Sequence, residues 1–202
     1  MIKVAVTGGI GSGKSLVCGI LQKMGVPVFY ADAVSKELVN HSSEIRNRLI
    51  SLLGKDIYLQ NGMVHRKKLA NIIFNDNIAL QKVNSIIHPE VRKAFHIWSE
   101  KHVSAPYVVQ EAAILFESGQ AANFDKIITV TASVELKIER VMKRDNTTRE
   151  LVLERMYNQL SDEVKIENSD FIIENDNREM ILPQIISIHE KLIKQWQNLV
   201  NG

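Results

Sequence analysis

Eight residues near the start of the chain, Gly8-Gly9-Ile10-Gly11-Ser12-Gly13-Lys14-Ser15, fit the pattern G-x-x-x-x-G-K-[ST]. Glycines at this spacing let the backbone curl until successive N–H groups point at one place, an arrangement suited to phosphate oxygens. A helix beginning near Lys14 adds the positive end of its dipole. Lys14 can then reach the β- and γ-phosphates of a nucleoside triphosphate, and Ser15 can offer its hydroxyl to Mg2+. Such a loop needs a strand before it and a helix after it, and the flanks supply both. Ile2–Thr7 is a short apolar, β-branched run, as expected of a strand buried on both faces. Lys14–Met24 has helical spacing, with Val17, Ile20, Leu21 and Met24 on one side and Gly25 where a helix C-cap belongs. Val26–Tyr30 reads as a second strand, so the chain opens as a right-handed β–loop–α–β unit of a parallel sheet.

Composition limits what such a loop can serve. A chain of 202 residues suits one domain with insertions. It buries roughly 70% of its unfolded surface without needing a disulfide or metal staple. Lys and Arg number 25 against 23 Asp and Glu, a net +2. That balance argues against a nucleic-acid surface and allows a local basic pocket. Cys18, the single cysteine, excludes an internal disulfide and a multi-thiolate metal site, and fits a reducing compartment. No run approaches the roughly 20 apolar residues of a membrane span, and the apolar start runs straight into glycines rather than a signal-peptide pattern. The expectation is a cytoplasmic chain without membrane partners, a monomer or weak homo-oligomer.

Further along, residues 33–102 read as mostly helical. Leu49, Ile50, Leu52 and Leu53 mark one apolar face, Leu69, Ile72, Ile73 and Phe74 another, and Val83, Ile86 and Ile87 a third. Pro89 is expected as the first residue of a helix running to Lys101. Strands are expected at Tyr107–Glu111, Lys126–Thr131 and Asp170–Glu174. Helices are expected at Ser133–Arg144 (Ser133 as N-cap), Arg149–Leu160 and Met180–Val200. Alternating strands and helices argue for an α/β sandwich around a mostly parallel sheet.

Several polar residues carry two readings each. Asp32 follows the second strand, where ligands of open α/β sheets bind. It can take the proton of an attacking hydroxyl, or it can cap the helix at 33–40. Arg140 and Arg144, four apart, share a helix face with Lys137. They suit either γ-phosphoryl charge or a solvated basic face. Arg66 follows the Asn61-Gly62 turn and is a surface cation or an anion contact. His88 caps, packs or touches a substrate. Glu111 ends the third strand, either as a carboxylate that holds Mg2+ through water or as a member of a salt bridge. Trp98, Trp196 and Cys18 read as packing residues. No N-K-x-D signature occurs, which weighs against a Ras-like GTPase.

The ordered set of motifs resembles the dephospho-CoA kinase family over nearly the whole chain. It comprises Thr7–Ser15, Ala31-Asp32-Ala33, Gly62 with Arg66 and Leu69, and His88-Pro89-Glu90-Val91. Leu115-Phe116-Glu117, Arg140, Arg144-Asp145, Gln159 and Asp170–Asn175 complete it. The resemblance implies a P-loop NTPase three-layer sandwich with a five-stranded mostly parallel sheet, a helical substrate-binding insertion and a helical lid. It implies one kinase domain over 1–202, with a core of about 1–32, 103–132 and 166–202, the insertion at about 33–102 and the lid at about 133–165. The implied reaction is ATP-dependent phosphorylation of the ribose 3′-hydroxyl of dephospho-CoA, the last step of coenzyme A biosynthesis, with Mg2+ accompanying ATP. Asp32, Lys14 and Arg140 are the implied catalytic residues. ATP contacts are implied for Gly9 to Gly13, Lys14, Ser15, Leu16, Arg144 and Asn175, the last on the adenine side. Substrate contacts are implied for Asp32, Arg66, His88 and Leu115, and the metal falls to Ser15 with Glu111 through water. Three departures stand out: Tyr30 where the family often has Asp, Leu16 where it often has Thr, and Ala113 where it usually has Pro. Rival readings are another small-molecule or nucleoside monophosphate kinase and a non-catalytic nucleoside triphosphate sensor.

Overall fold

Five strands form one sheet: β1 (Ile2–Thr7), β2 (Val28–Tyr30), β3 (Tyr107–Glu111), β4 (Lys126–Thr131) and β5 (Phe171–Glu174), in the order β2-β3-β1-β4-β5. The computed structural model describes residues 1–201, and Phe74 by its backbone alone, so the helix face expected to include Phe74 is described without that side chain. β1 runs parallel to β3, with Val4 opposite Val109, and parallel to β4, with Val6 opposite Ile128. β4 runs parallel to β5. A strand so placed is covered on both faces, and Val4, Ala5 and Val6 are fully buried. β2 is shorter than the expected Val26–Tyr30. Pro27 has no N–H to give a ladder, and the Val26 N–H closes the preceding helix by donating to Leu21 O at 3.1 Å.

Contacts divide the chain into two units, Met1–Phe29 with Lys101–Gly202, and Tyr30–Glu100. In the first, α1 (Lys14–Lys23) leaves the loop after β1 and buries Val17, Cys18 and Leu21. The second unit is helical: α2 (Ala31–His41), α3 (Ser43–Leu53), α4 (Arg66–Asn75) and α5 (Asn77–Glu100). Its ends are capped by side chains of the kinds that satisfy orphan N–H groups. Ser42 Oγ accepts from Ile45 N, His65 Nδ1 from Lys68 N, and Asp76 Oδ1 from Ile78 N and Ala79 N. Tyr58 OH donates to Val39 O at 2.8 Å, and the Arg46 guanidinium lies over the Tyr58 ring at 4.5 Å.

Two expectations for this unit are corrected. α2 begins at Ala31 with Tyr30 in the N-cap position, so Asp32 sits inside the first turn and does not cap. Pro89 does not start a helix but lies within α5. An interior proline costs about 3 kcal/mol through a lost hydrogen bond and a clash. Here Val83, Ile86 and Ile87 before it, and Val91 and Phe95 after it, are all buried on one face. Each such side chain contributes about 1.5–3 kcal/mol on burial, so continuing the helix outweighs the defect.

The first unit resumes after α5 with β3, β4 and three helices, α6 (Val134–Asp145), α7 (Arg149–Tyr157) and α8 (Asp162–Glu167), the last at the end of the stretch 133–165 expected to be helical, where no separate helix was named. Ser133 occupies the N-cap of α6 but makes no side-chain cap bond. α9 (Ile181–Asn201) closes the chain, burying Ile185, Ile188 and Leu192 at helical spacing. Among the described residues no helix is long and apolar enough to cross a membrane.

Candidate active site

The loop leaves the end of β1, the middle strand, and turns into α1 at Lys14. Lys14 is buried, and its Nζ donates to the carbonyls of Gly8 at 3.0 Å and Gly9 at 3.1 Å. Its ammonium is therefore held inside the curl of the loop. Two glycines are required by more than phosphate approach. Gly13 has φ 101°, and a Cβ there would stand 2.1 Å from Asn175 Nδ2. Gly11 has φ 80°, and a Cβ there would stand 2.5 Å from the carbonyl of Lys137 on α6. Both positions combine the left-handed region with a close approach that a side chain forbids.

The end of β5 and the helix after β4 brace this loop. Asn175, buried, donates from Nδ2 to Ser12 O at 2.8 Å, and its own N–H donates to Thr131 O at 2.8 Å. Arg140 reaches the loop through long contacts, 3.5 Å to Gly11 O and 3.4 Å to Asn175 Oδ1, and 3.3 Å to Asn177 Oδ1. Gln159 Oε1 accepts from Ile10 N at 2.8 Å, tying the α7–α8 connection to the loop. Lys137 Nζ donates to Asp162 Oδ2 at 2.6 Å, and Thr131 Oγ1 donates to the same oxygen at 3.1 Å. The hydroxyl of Ser12 is buried with no hydrogen-bond partner among the described residues.

Next to Lys14, exposed Ser15 donates from Oγ to Glu111 Oε1 at 2.8 Å. This joins the first turn of α1 to the end of β3. A hydroxyl and a carboxylate are the hard oxygen donors that Mg2+ takes, and an ion held partly by substrate phosphates and water needs no fuller protein cage. Among the described residues there is no group of three or more His, Cys, Asp or Glu that could hold a metal ion by itself. Below this pair lies Cys18, fully buried. Burial pushes its thiol well above the usual range, and the Glu111 charge adds to this while Lys14 opposes it.

Arg144 lies apart from these contacts. It pairs with Asp145 at 2.7 Å and 3.0 Å, and Arg155 joins the same carboxylate at 2.8 Å. The Arg144 guanidinium, and then Arg155, pull the Asp145 carboxyl down to about 2. Leu115 is 1% exposed, packed with Ala5, Ala112 and Ile127, so its side chain belongs to the core and only its backbone is left for a substrate. The turn that carries it has no proline, and Ser118 fixes it instead, donating from Oγ to Ile114 O at 2.6 Å. Glu117 accepts from Leu160 N at 2.9 Å and forms an ion pair with the buried Lys165 ammonium at 3.0 Å, a structural tie between that turn and α8. Leu16 is exposed on α1.

Asp32, Arg66 and His88 belong to the helical unit. Asp32 is exposed in the first turn of α2. Arg66 is exposed as the first residue of α4. His88 is half-buried on α5, and burial, followed by the Arg92 charge, lowers its pKa. Spacing put Lys137 on the face of Arg140 and Arg144 without tying it to Gly9, and it gave Gln159 and Asp162 no place at the loop, because the contacts that position them join segments far apart in the chain.

A glycine loop at the end of a central parallel strand, with its lysine turned inward and a hydroxyl–carboxylate pair beside it, defines a P-loop nucleotide-binding protein. The dephospho-CoA kinase family profile matches residues 2–180. A dephospho-CoA kinase of Bacteroides fragilis is 40% identical over 187 residues, 93% of this chain and 91% of that one. One of Porphyromonas gingivalis is 39% identical over 191 residues, 94% of each chain. A crystal structure from Thermus thermophilus aligns with TM-score 0.80 and 29% identity, over 96% of this chain and 97% of that one. The chain belongs to the dephospho-CoA kinase family and is a phosphotransferase of coenzyme A biosynthesis.

Proposed function

We propose that the chain transfers the γ-phosphoryl group of ATP to the ribose 3′-hydroxyl of dephospho-CoA, giving coenzyme A and ADP. The observation that carries this reading is the Ser15–Glu111 pair beside the inward Lys14, within a chain matched by the family profile over residues 2–180. The new bond joins the ribose oxygen to the γ-phosphorus. The bond from that phosphorus to the bridging oxygen breaks, and ADP leaves with its electrons. Asp32 takes the hydroxyl proton, a role that its exposed, uncapped carboxylate leaves it available to play. Lys14, the loop amides and Arg140 stabilise charge spread over the phosphoryl oxygens. Ser15 and Glu111 are the residues that would hold Mg2+, which would neutralise phosphate charge. Arg144 and Asn175 serve ATP, while Arg66, His88 and the Leu115 backbone serve the acceptor.

In this reading the insertion at about 33–102 receives dephospho-CoA and the segment at about 133–165 closes over ATP. Closure excludes water, so the ribose hydroxyl takes the phosphoryl group. The chain works in the cytoplasm, as a monomer or weak homo-oligomer. The test is ADP release from purified protein with ATP, Mg2+ and a panel of acceptors. Dephospho-CoA should be the preferred acceptor. Turnover of a nucleoside monophosphate or another small-molecule acceptor in its place overturns the substrate, and ATP binding without any turnover overturns the reaction.

A further inference from the structure

A cleft of about 220 Å³ opens beside the loop, lined by Gly9, Lys137, Gln159, Ser161 and Asp162 among others. Its lining carries one cation, Lys137, and two carboxylates, Asp162 and Glu163. The Lys137 side chain is 4% exposed, and its ammonium is held by one carboxylate oxygen of Asp162 at 2.6 Å. It also lies on the loop itself: a Cβ built at Gly9 would stand 3.4 Å from Lys137 Nζ and 3.2 Å from Asp162 Oδ1. The Lys137 carbonyl packs against Gly11, so the backbone of α6 at this residue is fixed to the same loop.

An ammonium has three donors and no acceptor. One carboxylate oxygen, which Thr131 also uses, satisfies a small part of that capacity. Buried cations demand more compensation than exposed ones. Lys14, in the loop itself, also donates to backbone oxygens, the carbonyls of Gly8 and Gly9. Thus one lysine sits within the loop and a second sits against Gly9 on its outer side, each held by oxygens that a phosphoryl group can outcompete. Burial strengthens any ion pair formed there.

We infer that Lys137 is a further catalytic residue, which leaves Asp162 for the terminal phosphoryl oxygens of ATP and stabilises their charge during transfer. Asp162 is its positioning residue, keeping the ammonium over Gly9 until nucleotide arrives. The inference rests on the phosphoryl-transfer reading and adds a contact that depends on the γ-phosphate. ADP lacks that group, so the ratio of ATP to ADP affinity reads the contact directly.

Affinities for ATP and ADP, measured by calorimetry on the full chain with Mg2+, test the idea alongside turnover of dephospho-CoA. Lys137→Gln should weaken ATP binding about 10-fold, leave ADP binding near wild type, and lower kcat by roughly 10²-fold, the scale of losing one charge-stabilising donor. Asp162→Asn should shift the ratio the other way, tightening ATP relative to ADP a few-fold because the competing charge is gone. If Lys137→Gln does not fold, the Asp162→Asn ratio still decides. An unchanged ratio in the folded variants overturns the inference and makes the pair a structural tie. A wild-type chain that prefers ATP to ADP but turns over no acceptor counts against the kinase reading, while the two ratios still judge Lys137.

Discussion

Asn175 donates from its side-chain amide to the carbonyl of Ser12 at 2.8 Å, a bond between residues 163 positions apart. It fastens the end of β5 to the middle of the phosphate loop. The same nitrogen is what a Cβ on Gly13 would strike. The residue read from sequence as an adenine-side contact thus shapes the loop from behind. Asn175→Ala leaves a buried carbonyl without its donor, at a cost of about 1–3 kcal/mol. Expected outcomes are a lower melting temperature and weaker ATP binding, with the KM for dephospho-CoA little changed, all measurable by thermal denaturation and steady-state kinetics. A variant of wild-type stability that loses only adenine selectivity between ATP and GTP would restore the ligand-contact reading.

Asp32 gives a cleaner kinetic signature. Asp32→Asn preserves shape and removes the proton acceptor. A drop in kcat of at least roughly 10²-fold is expected, with ATP affinity near wild type. Single-turnover rates and nucleotide titration provide the check. Near-normal turnover would return Asp32 to a dipole-complementing role in α2.

Leu115 separates packing from recognition. Its side chain is 1% exposed in a cluster with Ala5, Ala112 and Ile127. Leu115→Ala should destabilise the chain by about 2–5 kcal/mol, as buried leucine truncations do. At a temperature where the variant remains folded, the KM for dephospho-CoA should be close to wild type. A raised KM with unchanged stability would show a side-chain contact with substrate after all.

The far end of the sheet makes stability depend on pH. Tyr107 at the start of β3 and His189 on α9 share a hydrogen bond of 2.7 Å between OH and Nδ1. Burial lowers the His189 pKa below its ordinary 6.5, with Glu190 opposing weakly. A depressed histidine binds its proton more readily in the unfolded chain, so its stability is full above about 6.5 and lost as pH falls below that value. His88, also depressed, acts in the same sense. Burial raises the Tyr107 pKa above 10, so its stability is present below 10 and lost above it. Urea midpoints should therefore fall between pH 8 and pH 5.5, and His189→Gln should reduce that fall without abolishing it. An equal fall in both proteins would place the acid sensitivity elsewhere.

The nucleotide-binding architecture was legible because its signals are local. The run Ile2–Thr7, the glycines and the amphipathic α1 are contiguous, and together they announced strand, loop and helix. Pro89 misled because a single residue's backbone penalty was weighed without the apolar face of α5 on either side of it. Asp32 was read as a possible cap because nothing in the sequence shows that α2 starts directly from Tyr30 at the end of β2. The braces of the loop were hidden for a different reason. Gln159 on Ile10, Asn175 on Ser12 and Asp162 on Lys137 are pairings between distant segments. Spacing cannot report such pairings until the sheet order is known.

Cys18 has a practical consequence. Its thiol is fully buried on α1 and is held protonated by its surroundings. Thiol-directed dyes and oxidants react with the thiolate, so the native chain is silent to them. A cysteine introduced anywhere on the surface would be the one site that labels, with no need to remove the natural one. In the unmodified chain, a thiol-reactive dye that labels faster than the opened unit recloses reports the rate at which the nucleotide-binding unit opens around α1, a clock built in beneath the loop.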